Sequence, residues 1–519
     1  MLKSSGAMAG ATLTSRVLGL VREIVYASFM GNSWEASAFM LAFLVPNLFR
    51  RLLGEGALTA AFIPTFKQKE LKEGEPEMWR AANAVVSGLV AAGAILTVLV
   101  VASLSITLAA HEFEAQTELM LKLLRLMFPY MLLVCLAAVF IGMANARGHF
   151  FVPALSAVAL NVVMIASVLF LAPRMGSKLE DQVVALAIGV LIAGVAQAAF
   201  QWPVLHREGY RLHWVSPWRD PTVREVVRKM IPASIGVAAF QLNVIITQSF
   251  SFWFDPTIVS TFQYAVRLME LPQGMFGISL ATYLLPTLSA LATEKDHAGF
   301  RSTLRQGLGY LAFANLIAGA VALTLAEPIV RLIFERGRFG PADTQRAALA
   351  LACLAPGLLM FSMVNIFARA FYALNDIKTP MKISIVCLAL NLVFALWLVR
   401  PYREAGLAAA NTLSATFNVT LLVFALRRKL GRLEFSGMVR PMGALVCAAV
   451  AAGGVAWSAS HFWEGRFGHG TLSVRIGGVF VPCALAGAVY WLMAVAAKVP
   501  AAHDILELIT QKVRRAGHR

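Results

Sequence analysis

LVPNLFRRLLGEGALTAAFIP, Leu44 to Pro64, is a run long enough to cross a bilayer, yet it carries Arg50, Arg51 and Glu55 among its apolar residues. A helix needs about 20 apolar residues to span a hydrocarbon core of about 30 Å. Runs of that length recur from one end of the 519 residues to the other, and no soluble domain fits between them. With 59% hydrophobic and 14% charged residues, and a mean hydropathy of +0.70, the chain is too apolar for an ordinary soluble globule. It reads as an all-α polytopic membrane protein.

Counting apolar runs outward from that segment gives about fourteen transmembrane helices by the 20-residue criterion. Their centres fall near Leu18, Leu48, Ala92, Leu133, Ile165, Leu191, Phe240, Phe276, Ile317, Met360, Leu392, Thr416, Val450 and Leu485. An even number puts both termini on one side. With that side cytoplasmic, the inner loops take the larger share of the 45 Lys and Arg, as the positive-inside rule requires. His206 to Lys229, Arg427 to Lys429 and Lys512 to Arg519 contribute most, whereas Arg331 and the Arg336 and Arg338 of FERGRFG run against the trend. Arg16, Arg22, Arg50, Arg51, Arg125, Arg267 and Arg369 stay within spans.

The net charge of +17 is therefore an orientation signal, and no extramembrane stretch is long enough for a nucleic-acid surface. The start MLKSSGAMAGATLTSRVLGLVRE is interrupted by charge and lacks a cleavage-type end, so it reads as a retained first helix. All five cysteines fall in apolar runs without a CxxC pair and read as packing residues. The stretch 500–519 reads as a basic interfacial tail at the inner surface.

A shift of 227 residues superposes Pro129 on Pro356, Phe140 on Phe367, Ala146 on Ala373 and Pro153 on Pro380; a shift of 222 superposes Leu58 on Leu280 and Pro64 on Pro286. The chain thus reads as two related six-helix lobes, 1–210 and 220–430, followed by two further helices at 437–497. A repeat of even helix number keeps its topology, so the lobes are related by a pseudo-twofold axis along the membrane normal. Transporters built this way bind substrate between lobes and rock them to alternate access.

An Arg near the bilayer centre costs about 2.5 to 3.5 kcal/mol on insertion scales, so several in one chain need an explanation. Arg16, Arg22 and Glu23 share the first span, Arg50, Arg51 and Glu55 the second, and Arg267 and Glu270 stand three apart in the eighth, ahead of Pro272 and Gly274. Snorkelling to headgroups and Arg–Glu pairs gluing helices are the structural alternatives, and they suit Arg125 and Arg369 best. For Arg16, Arg22, Arg50 and Arg267 the cations outnumber their local acids, which suits a di-anion. A guanidinium binds phosphate oxygens through a planar fork and does not deprotonate. Prolines within spans, at Pro46, Pro64, Pro129, Pro232, Pro272, Pro286 and Pro356, would supply kinks for lobe motion.

SRVLGLVRE at Ser15 to Glu23, LVPNLFRRLLGEGALTAAFIP, RLMELPQGMFGISLATYLLPTLS at Arg267 to Ser289, FERGRF at Phe334 to Phe339 and FYALNDIKTP at Phe371 to Pro380 resemble the MurJ (MviN) lipid II flippases. The similarity runs over essentially the whole chain. It implies the fold of the MOP exporter superfamily, two six-helix lobes around a cationic cavity, with a lipid-tail groove formed by the last two helices, about Gly437 to Ala497. It implies as substrate lipid II, the undecaprenyl-pyrophosphate disaccharide-pentapeptide, moved from the cytoplasmic to the periplasmic leaflet of the bacterial inner membrane for peptidoglycan synthesis. The family's cavity roles carry onto Arg16, Arg22, Arg50 and Arg267, with Glu23 and Glu270 beside them; Arg51 and Glu55 complete the candidate set. Membrane lipids, and cell-wall synthesis and division proteins, are the further candidate partners; no catalytic residue, metal or cofactor is expected.

Two departures from the family pattern, Ser37 and Val266 where an acid is usual, leave the site more cationic and put an ion-coupling role in doubt. A drug exporter of the same superfamily would line its cavity with acids and aromatics, and an exporter of another polyprenyl-linked oligosaccharide would differ only in a sugar that sequence does not reveal. An enzyme cleaving polyprenyl pyrophosphate would want a mid-span His or a carboxylate cluster, and neither is present in the sequence. A passive scaffold gains nothing from buried cations.

Overall fold

The computed structural model describes residues 2–52, 58–431, 433 and 435–517, and among them the regular structure is helical. Nine of its helical stretches are long and apolar enough to cross a bilayer, or ten if Pro341–Leu354 and Gly357–Ala373, meeting at 45°, form one broken span. Pro356 sits at that bend, as a residue without an N–H should. Helix covers each of the fourteen expected centres.

By its packing the chain divides into two compact units, 1–260 with 337–339, and 261–336 with 340–519. The first holds α1 (Leu2–Met30), α2 (Trp34–Phe49), α3 (Leu58–Glu73), α4 (Glu75–Ala110), α5 (Ala115–Met127), α6 (Tyr130–Ala146), α7 (Phe151–Ala166), α8 (Leu179–Ala199), α9 (Trp202–Arg207) and α10 (Pro221–Phe254). Its core joins Phe39 and Ala42 of α2 to Leu123 of α5, Tyr130 and Val134 of α6 and Leu186 and Val190 of α8. Lipid is as apolar as such side chains, so close backbone approach and interhelical hydrogen bonds hold these helices together. Both are present: a Cβ on Gly194 of α8 would lie 2.8 Å from Tyr130, and the Tyr130 hydroxyl donates to Gln197 Oε1 at 3.2 Å.

At one end of this unit Arg147, just past α6, donates to Glu70 of α3 and, at 2.8 Å, to Glu208 beyond α9. His149 shares Glu208 at 2.8 Å, and these two donors, His149 foremost, hold the Glu208 carboxyl below its usual range. Elsewhere in the unit, residues 337–339 lie on the turn between α1 and α2. The Arg338 N–H donates to the Ser28 carbonyl at 2.9 Å, and its guanidinium covers the Phe29 ring. Gly31 and Gly337, both at positive φ, leave no room for a Cβ in that contact.

The second unit takes over within α11 (Thr257–Pro272) and continues through α12 (Ser279–Thr293), α13 (His297–Thr324), α14 (Ala326–Phe334), α15 (Pro341–Leu354), α16 (Gly357–Ala373), α17 (Lys378–Leu430), α18 (Ser436–Phe467), α19 (Leu472–Ala496) and α20 (Pro500–Gly517). At about 1.5 Å per residue a straight α17 would measure about 80 Å, far more than a bilayer core. It is two helices, because Arg403 breaks it at φ 51°. Across the break Asn391 Nδ2 donates to Asn411 Oδ1 at 2.9 Å and the Ser414 hydroxyl to the Cys387 carbonyl at 2.7 Å, which makes the halves antiparallel. Buried Glu404 beside the break takes both Nε and Nη2 of Arg346 on α15, at 2.7 and 2.8 Å.

One core of this unit packs Leu284 and Leu288 of α12 with Leu308 of α13, Phe367 of α16 and Leu422 of α17; a second packs α13 with α18, α19 and the first turn of α20. Arg331 of α14 is almost buried and pairs with Glu327, Glu335 and, on α18, Glu464; Arg475 of α19 donates to Glu335 Oε1 at 3.1 Å. Arg331 and the two arginines of FERGRFG are thus engaged: Arg331 in this network, Arg336 on the Leu332 carbonyl at the end of α14, and Arg338 on the α1–α2 turn.

The turn between α16 and α17 repeats the Arg147 arrangement with its charges exchanged. Here the turn supplies the acid, Asp376, and the end of α17 the cation, Lys429, at 2.8 Å. That hydrogen bond, with those from the Thr379 N–H and hydroxyl, pulls the Asp376 pKa down to about 2. Because the folded value lies below the unfolded value of about 3.9, the stabilisation is complete above that pH and drains as pH falls through the folded value. Asp376→Asn should therefore melt below wild type at neutral pH, and the gap should close between about pH 4 and 2, as read by thermal unfolding of purified protein across that range.

Candidate functional site

Five of the candidate residues belong to the first unit. In α1 the Arg22 Nη2 donates to Glu23 Oε1 at 2.6 Å, and its guanidinium lies 5.6 Å from the centroid of the Tyr26 ring. Glu23 is only 6% exposed, and a buried carboxylate in a membrane helix persists only when paired. Arg16, six residues before Arg22 on the same helix, is exposed.

Arg50 and Arg51 follow α2 directly, in a π-helical turn over residues 50–52. A π-turn carries one residue more than an α-turn and is frequent at functional sites. Arg50 Nε donates to Asn47 Oδ1 at 2.7 Å, a partner one turn back that holds the guanidinium without adding charge. Glu55 lies outside the described residues.

The remaining two belong to the second unit. Arg267 Nη1 donates to Glu270 Oε2 at 2.7 Å, with the side chains 36% and 46% exposed. A pair this open contributes little to stability, so holding the fold does not account for it. It occupies the end of α11, and the chain then enters a π-helical segment, Gln273–Ile278, starting immediately after Pro272. The first unit thus carries Arg50 and Arg51 in a π-helical turn, and the second carries Arg267 on the helix that leads into a π-helical segment.

Sequence reasoning did not reach several residues that shape these surroundings. Ser37, noted only as a missing acid, is fully buried: its hydroxyl lies 3.0 Å from the Ser260 hydroxyl and accepts from the Ser260 N–H at 3.0 Å, and Ser260 donates on to Asn32 Oδ1 at 2.6 Å. An acid there would bring an uncompensated charge into a satisfied neutral network. Tyr26 and Asn47 were findable, since they stand four after Arg22 and three before Arg50, on the same helix faces.

The profile of the family described as lipid II flippase MurJ matches residues 26–477. The chain belongs to the MurJ family. A probable lipid II flippase MurJ of Vibrio cholerae is 33% identical over 466 residues, 85% of this chain and 87% of the relative. The lipid II flippase MurJ of Burkholderia cenocepacia is 34% identical over 472 residues, 88% and 90% of the two chains. A solved MurJ in an inward closed conformation shares the fold at a TM-score of 0.74, with 20% identity over 94% of this chain and 99% of its own. An inward-facing multidrug-resistance MATE transporter of the MOP superfamily shares it at 0.65, with 14% identity over 82% and 98%. These likenesses establish a MurJ-family membrane protein with the MOP transporter fold.

Proposed function

We propose that the chain flips lipid II from the cytoplasmic to the periplasmic leaflet of a bacterial inner membrane by alternating access of lobes 1–210 and 220–430. What supports this reading is the family match over residues 26–477, together with Arg50 and Arg51 in a π-helical turn and Arg267 on the helix that leads into a second π-helical segment. Arg16, Arg22, Arg50 and Arg267 bind the pyrophosphate, Arg51 and Glu55 border it, and Glu23 and Glu270 hold their arginines in place. The helices at 437–497 take the polyprenyl tail, the tail at 500–519 lies on the inner surface, and both termini are cytoplasmic. No covalent chemistry is involved.

The test is the purified protein in vesicles loaded with fluorescent lipid II in one leaflet. Transfer to the other leaflet should depend on the protein, and a different polyprenyl-linked sugar should compete poorly. Equal transfer of unrelated polyprenyl-linked sugars would turn the reading toward a general oligosaccharide-lipid exporter. In the same vesicles Glu270→Gln should slow transfer severalfold without lowering the melting temperature, because the exposed pair serves to orient Arg267. Wild-type transfer by that variant would leave the pair without a role in transport.

A further inference from the structure

The connection between α8 and α10 is the most cationic inner stretch of the sequence, and its backbone is held in a way that orientation alone does not require. From Tyr210 to Pro217 it has no regular structure and is tied to α4. Asn83 of α4, fully buried, donates to the Arg211 carbonyl at 2.9 Å, while its Oδ1 accepts from the Tyr210 hydroxyl at 3.0 Å and the His213 N–H at 3.2 Å. One turn on, Ser87 Oγ accepts the Val215 N–H at 3.1 Å, and Pro217 packs over Gly88. Asp220 then caps α10 through the Thr222 and Val223 N–H groups.

Tyr210 and Pro217 are buried, whereas Leu212, Trp214 and Trp218 are 57%, 63% and 68% exposed. Exposed arginines interleave with them: Arg207, Arg211, Arg219, and on α10 Arg224 and Arg228. The acids of the stretch are occupied, Glu208 by Arg147 and His149, Asp220 by the helix cap and Glu225 by Lys229. Tryptophan prefers the boundary between acyl chains and water, and basic segments beside membrane helices attract anionic headgroups. This segment follows directly on Leu179–Arg207, a stretch apolar enough to span, and leads into α10. A soluble polyanion would want the cations; it would give Leu212, Trp214 and Trp218 nothing to bury in.

We propose that residues 207–228 form a binding surface for anionic phospholipid, with Trp214 and Trp218 seated among acyl-chain ends and the arginines on the lipid phosphates. The surface shares no residue with the proposed transport site and does not rest on the lipid II reading.

The test uses the full-length protein in phosphatidylcholine vesicles containing a minor fraction of either brominated phosphatidylglycerol or brominated phosphatidylcholine, since acyl-chain bromine quenches nearby tryptophan. The chain has 10 tryptophans, so the signal is the difference between wild type and the Trp214→Phe/Trp218→Phe variant. That difference should be quenched more by the anionic lipid. Each cation at a charged surface changes partition about fivefold, so Arg211→Gln/Arg219→Gln/Arg224→Gln should erase the preference. Equal quenching by both lipids would overturn the proposal. Quenching by neither would mean that the tryptophans face water or a soluble partner, which also overturns it. Loss of the preference on adding inorganic phosphate or pyrophosphate at the lipid's own concentration would assign the cations to a soluble anion and overturn it as well. Lipid II transfer in the same vesicles is an independent readout.

Discussion

Lysine in place of Arg16, Arg50 or Arg267 should fail to support a flippase-depleted strain at the wild-type growth rate, although it keeps the positive charge. A pyrophosphate offers several oxygens in fixed geometry, and the guanidinium meets two of them with parallel N–H groups where an ammonium is a point charge. Losing one charge-assisted hydrogen bond in a site shielded from water costs about 1.5–3 kcal/mol, roughly 10- to 100-fold in rate. At position 50 the loss is compounded, because Arg50 is held through its Nε by Asn47, an atom that lysine lacks. The rival view, in which these residues only supply positive potential or reach for headgroups, expects Lys to work nearly as well as Arg and only Ala to fail. The measurement is complementation by each Arg→Lys and Arg→Ala variant at matched membrane levels. Normal growth of every Lys variant would eliminate fork binding as the mechanism.

Arg331→Leu should lower stability more than any single change among Arg16, Arg22, Arg50, Arg51 and Arg267. Glu335 and Arg331 are both close to fully buried, and Glu327 and Glu464 share the same guanidinium. Removing it leaves acids facing one another with only Arg475 beside them. Breaking a buried pair by deleting one partner costs about 3–5 kcal/mol. The melting temperature in detergent should drop by several degrees, and Glu464→Gln should lower it less, since Glu464 is the more exposed partner. If Arg331→Leu melts with wild type, the network adds nothing to the packing of α14 against α18 and α19.

Much of the fold could be read because hydropathy is a local property. Each span announces itself within about 20 residues, and even the reversal inside α17 was visible as two apolar centres around the polar PYRE at Pro401 to Glu404. The sequence could also say which arginines stand among apolar runs, since that needs only the residues around them. It could not say what they rest on. A π-turn differs from an α-turn by one residue, and nothing in NLFRRLL distinguishes the two. The Arg331 network eluded reading for a different reason: Glu464 is 133 residues away, so Arg331 looked like a misplaced orientation signal until its partners were located. Ser37 looked like a deficit because its neighbour in space, Ser260, is 223 residues distant.

The π-helical segment after Arg267 also sets the azimuth of that side chain. α12 is locked by Ala281, Leu284 and Leu288 in the core of its unit, so the heading of α11 is counted backward from α12 through Gln273–Ile278. One residue corresponds to about 100° of rotation in an α-helix. Deleting a single residue there would restore an ordinary helix, leave hydropathy and span length almost untouched, and swing Arg267 and Glu270 together onto another face. The heading of this cation is thus encoded by a residue count, which no substitution scan would reveal and a one-codon deletion would.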